Sequence, residues 1–163
     1  MKSLASSNEQ LLDQAISLIR SHTVEDYIRP CEKVFSSSIG QHIRHCVEHY
    51  EEFLNAVKSN REIDYEKRPR DLNVETDPDE AVRRLSGIRD AFHSAPDACR
   101  EIAVWDNGSA YPTSSSLSRE LQFLLSHTVH HFALIAVIAS LRGLCVPRDF
   151  GIAPSTLKYR ESA

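Results

Sequence analysis

The 163-residue chain has no excess of basic residues: 19 Lys and Arg stand against 23 Asp and Glu, a formal charge of −4. Non-specific nucleic-acid binding needs a basic footprint, so the balance argues against it. The four cysteines, Cys31, Cys46, Cys99 and Cys145, contain no C-x-x-C pair. That removes the zinc-knuckle and thioredoxin-like readings and leaves reduced thiols in a cytoplasmic protein as the plain expectation. The opening stretch MKSLASSNEQ lacks the apolar run of a signal peptide. The most apolar stretch, residues 121–144, is interrupted by three histidines, Ser126, Ser140 and Arg142. It reads as a buried helix rather than a membrane span. There is no internal repeat, and the DFG at 149–151 stands without any other kinase motif. What remains is an ordinary globular composition, long enough for one domain over 1–163 whose core needs no covalent staple.

Four helices are signalled. Ser7 and Gln10 have capping-box spacing ahead of Leu11, Leu12, Ala15, Ile16 and Ile19 at helical intervals. That helix fades near His22, and Pro30 forbids a simple continuation. A second runs from the SSSIG segment to Ser59, with Ile39, Ile43, Cys46, Tyr50, Phe53 and Val57 on one stripe. A third opens on Asp77 as cap, Pro78 in the first turn and Glu80 completing the box. It buries Ala81, Leu85, Ile88 and Phe92. The fourth starts from Ser116 and runs to Arg142, with Gly143 as its terminator. It is apolar almost all round, so it is expected to be the most buried element. Asn107-Gly108 predicts a small hairpin or extended loop between the third and fourth helices. The tail from Val146 reads as loop with one short turn, and the charged connector after Ser59 has no clean period. The fold expected is all-α, a four-helix bundle with one small excursion.

Six of the 8 histidines fall in two short stretches, QHIRHCVEHYEEF and LLSHTVHHFALI. His127 and His131 are i and i+4, one turn apart on one face. That is the spacing by which one helix offers two imidazoles to one metal ion. Leu124, Thr128, Ile135 and Ile138 share their side, so the pair points inward. His130 is rotated by about 100° from His131 and packs elsewhere. On the second helix His45 and His49 are also i and i+4, with His42 on the same stripe, at the border of the apolar face. Several buried imidazoles are costly unless each finds a partner, and none can be charged without repelling the next. A divalent cation resolves that conflict; otherwise they are hydrogen-bonded core or surface residues.

SSSIGQHIRHCVEHYEEF followed about eighty residues later by SRELQFLLSHTVHHFALI resembles the DinB/YfiT-like family. The resemblance covers most of the chain. It implies a four-helix bundle with one histidine on the second helix and an H-x-x-x-H pair on the fourth, forming a triad for a divalent metal. Carried over by position, the ligands are His45, His127 and His131. His49 departs from the commonest pattern and is open to three roles: a fourth ligand, a residue that orients a ligand, or a replacement for His45. An all-nitrogen site suits zinc, nickel or iron. Three protein ligands leave a position open, as catalytic sites do. Related family members include thiol-dependent transferases and isomerases. The resemblance therefore implies metal-dependent transfer involving a low-molecular-weight thiol, with hydrolysis by metal-activated water second. The competing reading is a metal-stabilised scaffold or interaction module, whose first and fourth helices supply a homodimer face.

The connector segment DYEKRPRD adds Tyr65, Lys67, Arg68 and Arg70 beside Asp64, Glu66 and Asp71. Arg68 and Arg70 are candidates for binding a carboxylate or phosphate on a small-molecule substrate. Mixed-sign runs are more often solvated loops with weak ion pairs. Glu75 and Asp77 are candidate acid/base groups, although Asp77 already has a capping role. Cys46 adjoins His45 but lies on the apolar stripe, which reads as core.

Overall fold

The computed structural model describes residues 4–92, 100–105 and 108–162. The chain is mostly helical, with seven helices and one two-stranded ribbon among those residues. The first helix, α1 (Leu4–Arg20), begins before the expected cap and places Ser7 inside it, so the Ser7–Gln10 box does not start the helix. Leu4 and Ala5 pack against the core. Asn8, fully buried, donates to Leu4 O at 2.8 Å and Leu121 O at 3.1 Å. Burial of this first turn overrides the local capping signal.

Periodicity did not reveal α2 (Val24–Ile28), because five residues are too few to show a period. It is made by a Thr23–Asp26 capping box and anchored by buried Tyr27, whose hydroxyl donates to Val74 O at 2.7 Å. The next helix, α3 (Ile39–Ser59), keeps its expected bounds. Ser38 and Gln41 cap its start, and Asn60, in the left-handed region at φ 50°, ends it. Gly40 sits where a Cβ would lie 2.1 Å from Glu75 O, so only glycine lets α3 approach the following helix this closely. That helix is α4 (Leu72–Thr76), capped by Asp71.

The helix α5 (Pro78–Phe92) opens as expected, with Asp77 Oδ1 accepting from the backbone N–H of Asp79 at 2.9 Å and Glu80 at 3.3 Å. Glu80 does not complete the box. The Asp77 N–H is taken by Asn73 O at 2.8 Å, and the Glu80 carboxylate pairs with Arg83 and Arg84.

The strands β1 (Glu101–Val104) and β2 (Thr113–Ser116) pair antiparallel, from Glu101↔Ser116 to Val104↔Thr113. This is the small excursion expected between the third and fourth long helices. Gly108 has φ 81°, while Asn107, with His93 and Cys99, lies outside the described residues. Ile63 of the connector joins the ribbon: its N–H donates to Ala103 O, and its carbonyl accepts from Trp105, both at 2.9 Å.

The last long helix, α6 (Leu117–Leu141), is capped by Ser116. The tail is not loop, as expected, but ends in α7 (Pro154–Ser162). Little of α7 is covered, so it has no hydrophobic period to read. Phe150 ahead of it stacks on Phe132 at 4.5 Å and ties the tail to α6.

Helix α1 packs on α5 and α6, and α3 packs on α5 and α6, so the four long helices close a ring. Leu12, Ile43, Tyr50, Phe53, Leu85, Leu124 and Ile135 fill it. The expectation that the fourth long helix is the most buried is corrected. It buries 9 of its 25 residues, whereas α3 buries 11 of 21. Helix α3 touches α2, α4, α5 and α6, whereas the outer face of α6 leaves Val137 48% and Leu141 51% exposed. By length and composition alone α6 is apolar enough to cross a bilayer, a property that core helices of soluble proteins share. Cys31, Cys46 and Cys145 are free thiols. Burial pushes Cys46 up to about 12, which keeps it protonated and inert, as a core residue.

Candidate metal centre

The ring packing sets the histidine face of α3 against that of α6. His45, His127 and His131 offer ligand atoms that all lie within 4.8 Å of one another. His45 and His131 have ring centroids 4.4 Å apart, His45 and His127 5.0 Å, and His127 and His131 4.7 Å. His49 is close, 4.3 Å from both His45 and His127 by ring centroid, yet falls outside the group of three. His130 is exposed, as its rotation on the helix requires.

Burial holds these rings neutral. It lowers His45 to about 2, His49 and His131 to about 3, and His127 to about 4. The positive charge each neighbour would carry adds to the effect in the same direction. His42 is lowered by burial as well. A neutral imidazole has one N–H and one bare nitrogen, and the hydrogen-bond network says which is which. Ser37 spends its hydroxyl hydrogen on Val34 O at 2.7 Å, so its oxygen accepts from His42 Nε2 at 2.9 Å. His42 Nδ1 is then bare and accepts from His131 Nδ1 at 3.0 Å. His131 is left with a bare Nε2. His49 donates Nδ1–H to His45 O at 2.7 Å, which also bares its Nε2. His127 Nε2 is buried with no hydrogen-bond partner among the described residues. Leaving such an atom unsatisfied costs about 1–3 kcal/mol, and a metal ion removes that cost. Neutral, convergent imidazoles with one orphaned nitrogen fit a divalent ion.

Beside the triad lies a cavity of about 560 Å³. His45, His49 and His127 reach it from the helices, Tyr65 and Arg68 from the connector, and Trp105 and Ser115 from the ribbon. Phe123 and Arg119 add an aromatic wall and a cation, the guanidinium lying 6.0 Å from the ring centroid. Glu120 is buried and accepts from Tyr65 Oη at 3.0 Å and Ser115 Oγ at 2.6 Å. Burial and the Glu120 charge push Tyr65 up, so it stays a hydrogen-bond donor.

Of the residues picked from the connector, Arg68, Tyr65 and Glu66 come to the site, while Arg70 is exposed and does not line the cavity. Arg68 Nη1 lies 3.1 Å from His45 Nδ1 and 3.6 Å from Glu48, an almost fully buried carboxylate. Glu75 pairs with Arg44 at 2.7 Å and Asp77 caps α5, so neither reaches the cavity. Sequence reasoning missed the pairing of His42 with His131, the buried Glu48, and the cavity residues Trp105, Phe123, Arg119 and Glu120. His42 and Glu48 carried a usable signal, since both share helical spacing with the histidine stripe. The ribbon residues carried none.

A family model described as the DinB superfamily matches residues 7–135. A curated relative, FK506-binding protein 5 of Rhizopus delemar, is 32% identical over 104 residues, covering 60% of this chain and 27% of that protein. The chain thus spans about a quarter of that relative's length. No solved structure matches.

Proposed function

The chain belongs to the DinB superfamily, and on that premise we propose that its four long helices are the bundle of that group and that His45, His127 and His131 hold a divalent ion for chemistry on a small molecule. The observation that carries this reading is the group of three neutral imidazoles at the edge of the 560 Å³ cavity, one with an orphaned buried nitrogen. A divalent ion bound there supplies a Lewis-acid centre that lowers the pKa of a thiol or water sharing the site. Zinc, nickel and iron all suit imidazole donors.

The protein's own residues do the rest. His42 fixes the ring and tautomer of His131, the usual duty of a group that hydrogen-bonds a metal ligand. Arg119 and Arg68 present cations to an anionic part of the substrate. Phe123, Trp105 and Tyr65 form a wall that displaces water from an apolar part. Transfer involving a low-molecular-weight thiol is the leading chemistry, because these borderline-soft ions accept sulfur readily. A closed scaffold site would need a fourth protein ligand, and His49 stands outside the group of three.

Reconstitution of the purified chain with zinc, nickel and iron in turn, followed by X-ray absorption with and without a small thiol, tests this. Stoichiometric metal and a sulfur entering at about 2.3 Å are expected for a zinc site. Failure to retain any of the three metals overturns the reading. Four protein ligands with no thiol entry would make the protein a metal-stabilised scaffold instead.

A further inference from the structure

The triad is unequal in one respect. His131 Nε2 is bare and His127 Nε2 is unpartnered, but His45 is engaged. Its Nδ1 faces Arg68 Nη1 at 3.1 Å. A guanidinium nitrogen can only donate, so Nδ1 spends its lone pair on Arg68 and the ring proton sits on Nε2. In this state His45 has no lone pair left to give. It can ligate through Nδ1 only if Arg68 withdraws. It can ligate through Nε2 only after the proton has moved to Nδ1, where it would meet an Arg68 N–H head on. Either route releases Arg68, whichever nitrogen takes the metal.

The released guanidinium has a destination one step away. Glu48 is 1% exposed. One carboxylate oxygen accepts the Asp71 N–H at 2.7 Å, while the other, Oε2, is buried without a hydrogen bond among the described residues and lies 3.6 Å from the same Arg68 Nη1. An unpaired buried carboxylate oxygen is costly, and a shift of under an ångström would satisfy it. Arg68 is meanwhile tethered through its Nε to Tyr65 O, so it can swing without leaving the site.

We infer that Arg68 is a metal-exchanged gate on the triad: it occupies the His45 lone pair in the metal-free protein and passes its hydrogen bond to Glu48 when a divalent ion binds. The inference rests on the reading of His45, His127 and His131 as a metal site. Metal binding then tightens the connector onto α3, because Arg68 and Asp71 would both be held by Glu48. The connector carries Tyr65, Glu66 and Arg68, which line the cavity, so the ion also sets the cavity's wall.

The test is a zinc titration of the metal-free full chain against a competing chelator, for wild type, Arg68→Met, Glu48→Gln and the double variant. Arg68→Met is expected to bind zinc about tenfold tighter, since a charge-assisted hydrogen bond of that worth no longer has to be broken. Glu48→Gln is expected to bind about tenfold weaker, with most of that loss disappearing in the double variant. Comparing Arg68→Met with wild type in the Glu48→Gln background removes the carboxylate's own attraction for zinc. Equal or weaker binding by both Arg68→Met proteins, with wild type binding normally, overturns the gate and leaves the metal site standing. A wild type that binds no zinc overturns both. Side-chain 15N spectra of metal-free wild type give a reading independent of any variant's folding. His45 is expected with its proton on Nε2, and a proton on Nδ1 overturns the gate outright.

Discussion

Two polar clusters sit one residue apart on the same two helices, and they differ in whether their hydrogen-bonding capacity is used up. Tyr50 and Thr128 adjoin His49 and His127 in the chain but face the interior of the ring. With Asn8 they make a closed set: Tyr50 donates to Asn8 Oδ1 at 2.7 Å, Thr128 donates to Tyr50 at 3.2 Å, and the Asn8 amide donates to two backbone carbonyls. All three residues are at most 2% exposed. The histidine cluster holds more polar atoms: His45, His127 and His131 bring ligand atoms within 4.8 Å of one another, and His127 Nε2 has no hydrogen-bond partner among the described residues. Satisfied buried polar groups specify how helices dock; convergent unsatisfied ones mark a place for something the chain does not supply.

The largest effect that separates the two clusters is metal content. His127→Ala or His131→Ala should abolish stoichiometric metal by elemental analysis, and His45→Ala should weaken it, while each metal-free variant keeps its helical circular dichroism spectrum. Metal retained by the His127→Ala and His131→Ala proteins would break the comparison.

A pH series comes next. Burial depresses the folded pKa values of His45, His49, His127 and His131 from 6.5 to between about 2 and about 4. The unfolded chain therefore takes up protons first as pH falls, and stability present above 6.5 is lost progressively toward pH 4. The melting temperature of the metal-free protein should fall across that window. Asn8→Ala should lower the whole curve without changing its slope, because its cluster has no group titrating there.

His42→Ala should weaken metal binding by about tenfold to a hundredfold in chelator competition, the usual scale for loss of a ligand-orienting partner. It removes no ligand, so the stoichiometry should stay the same. Asn8→Ala should cost about 1–3 kcal/mol in urea denaturation, by leaving the Tyr50 hydroxyl without its acceptor. Its metal content should not change. At the bottom of the scale, His130→Ala and His22→Ala should alter neither quantity. His130 is exposed, and the His22 ring bonds Ser21 and Leu18 at the end of α1, away from both clusters.

The long elements were legible because their signals are local. Ser38 and Ser116 cap where their side chains predict, and the stripe from Ile39 to Phe53 is buried as its spacing requires. The His127/His131 pair was legible for the same reason, since four residues of helix fix a shared face. Short or uncovered helices left no such trace: α2 is a single capped turn, and α7 buries none of its described side chains, residues 155–160. The Ser7 box failed because a buried Asn8 and the packing of Leu4 continued the helix past a cap that the chain could have used.

The sequence by itself determined which residues share a face, because cap chemistry and the 3.6-residue repeat act within one segment. It placed one histidine pair on an inward face, a second at the border of an apolar face, and an arginine-bearing connector between them. Only the tertiary structure decided that His42 reaches across to His131, that Arg68 and not Arg70 comes to His45, and that Trp105 and Phe123 wall the cavity. Those outcomes depend on the register between helices and on a connector that pairs with a ribbon forty residues away. The bare nitrogens of His131 and His45 are likewise a tertiary property: a neutral ring can carry its proton on either side, and His42 and Arg68, brought from elsewhere in the chain, choose which.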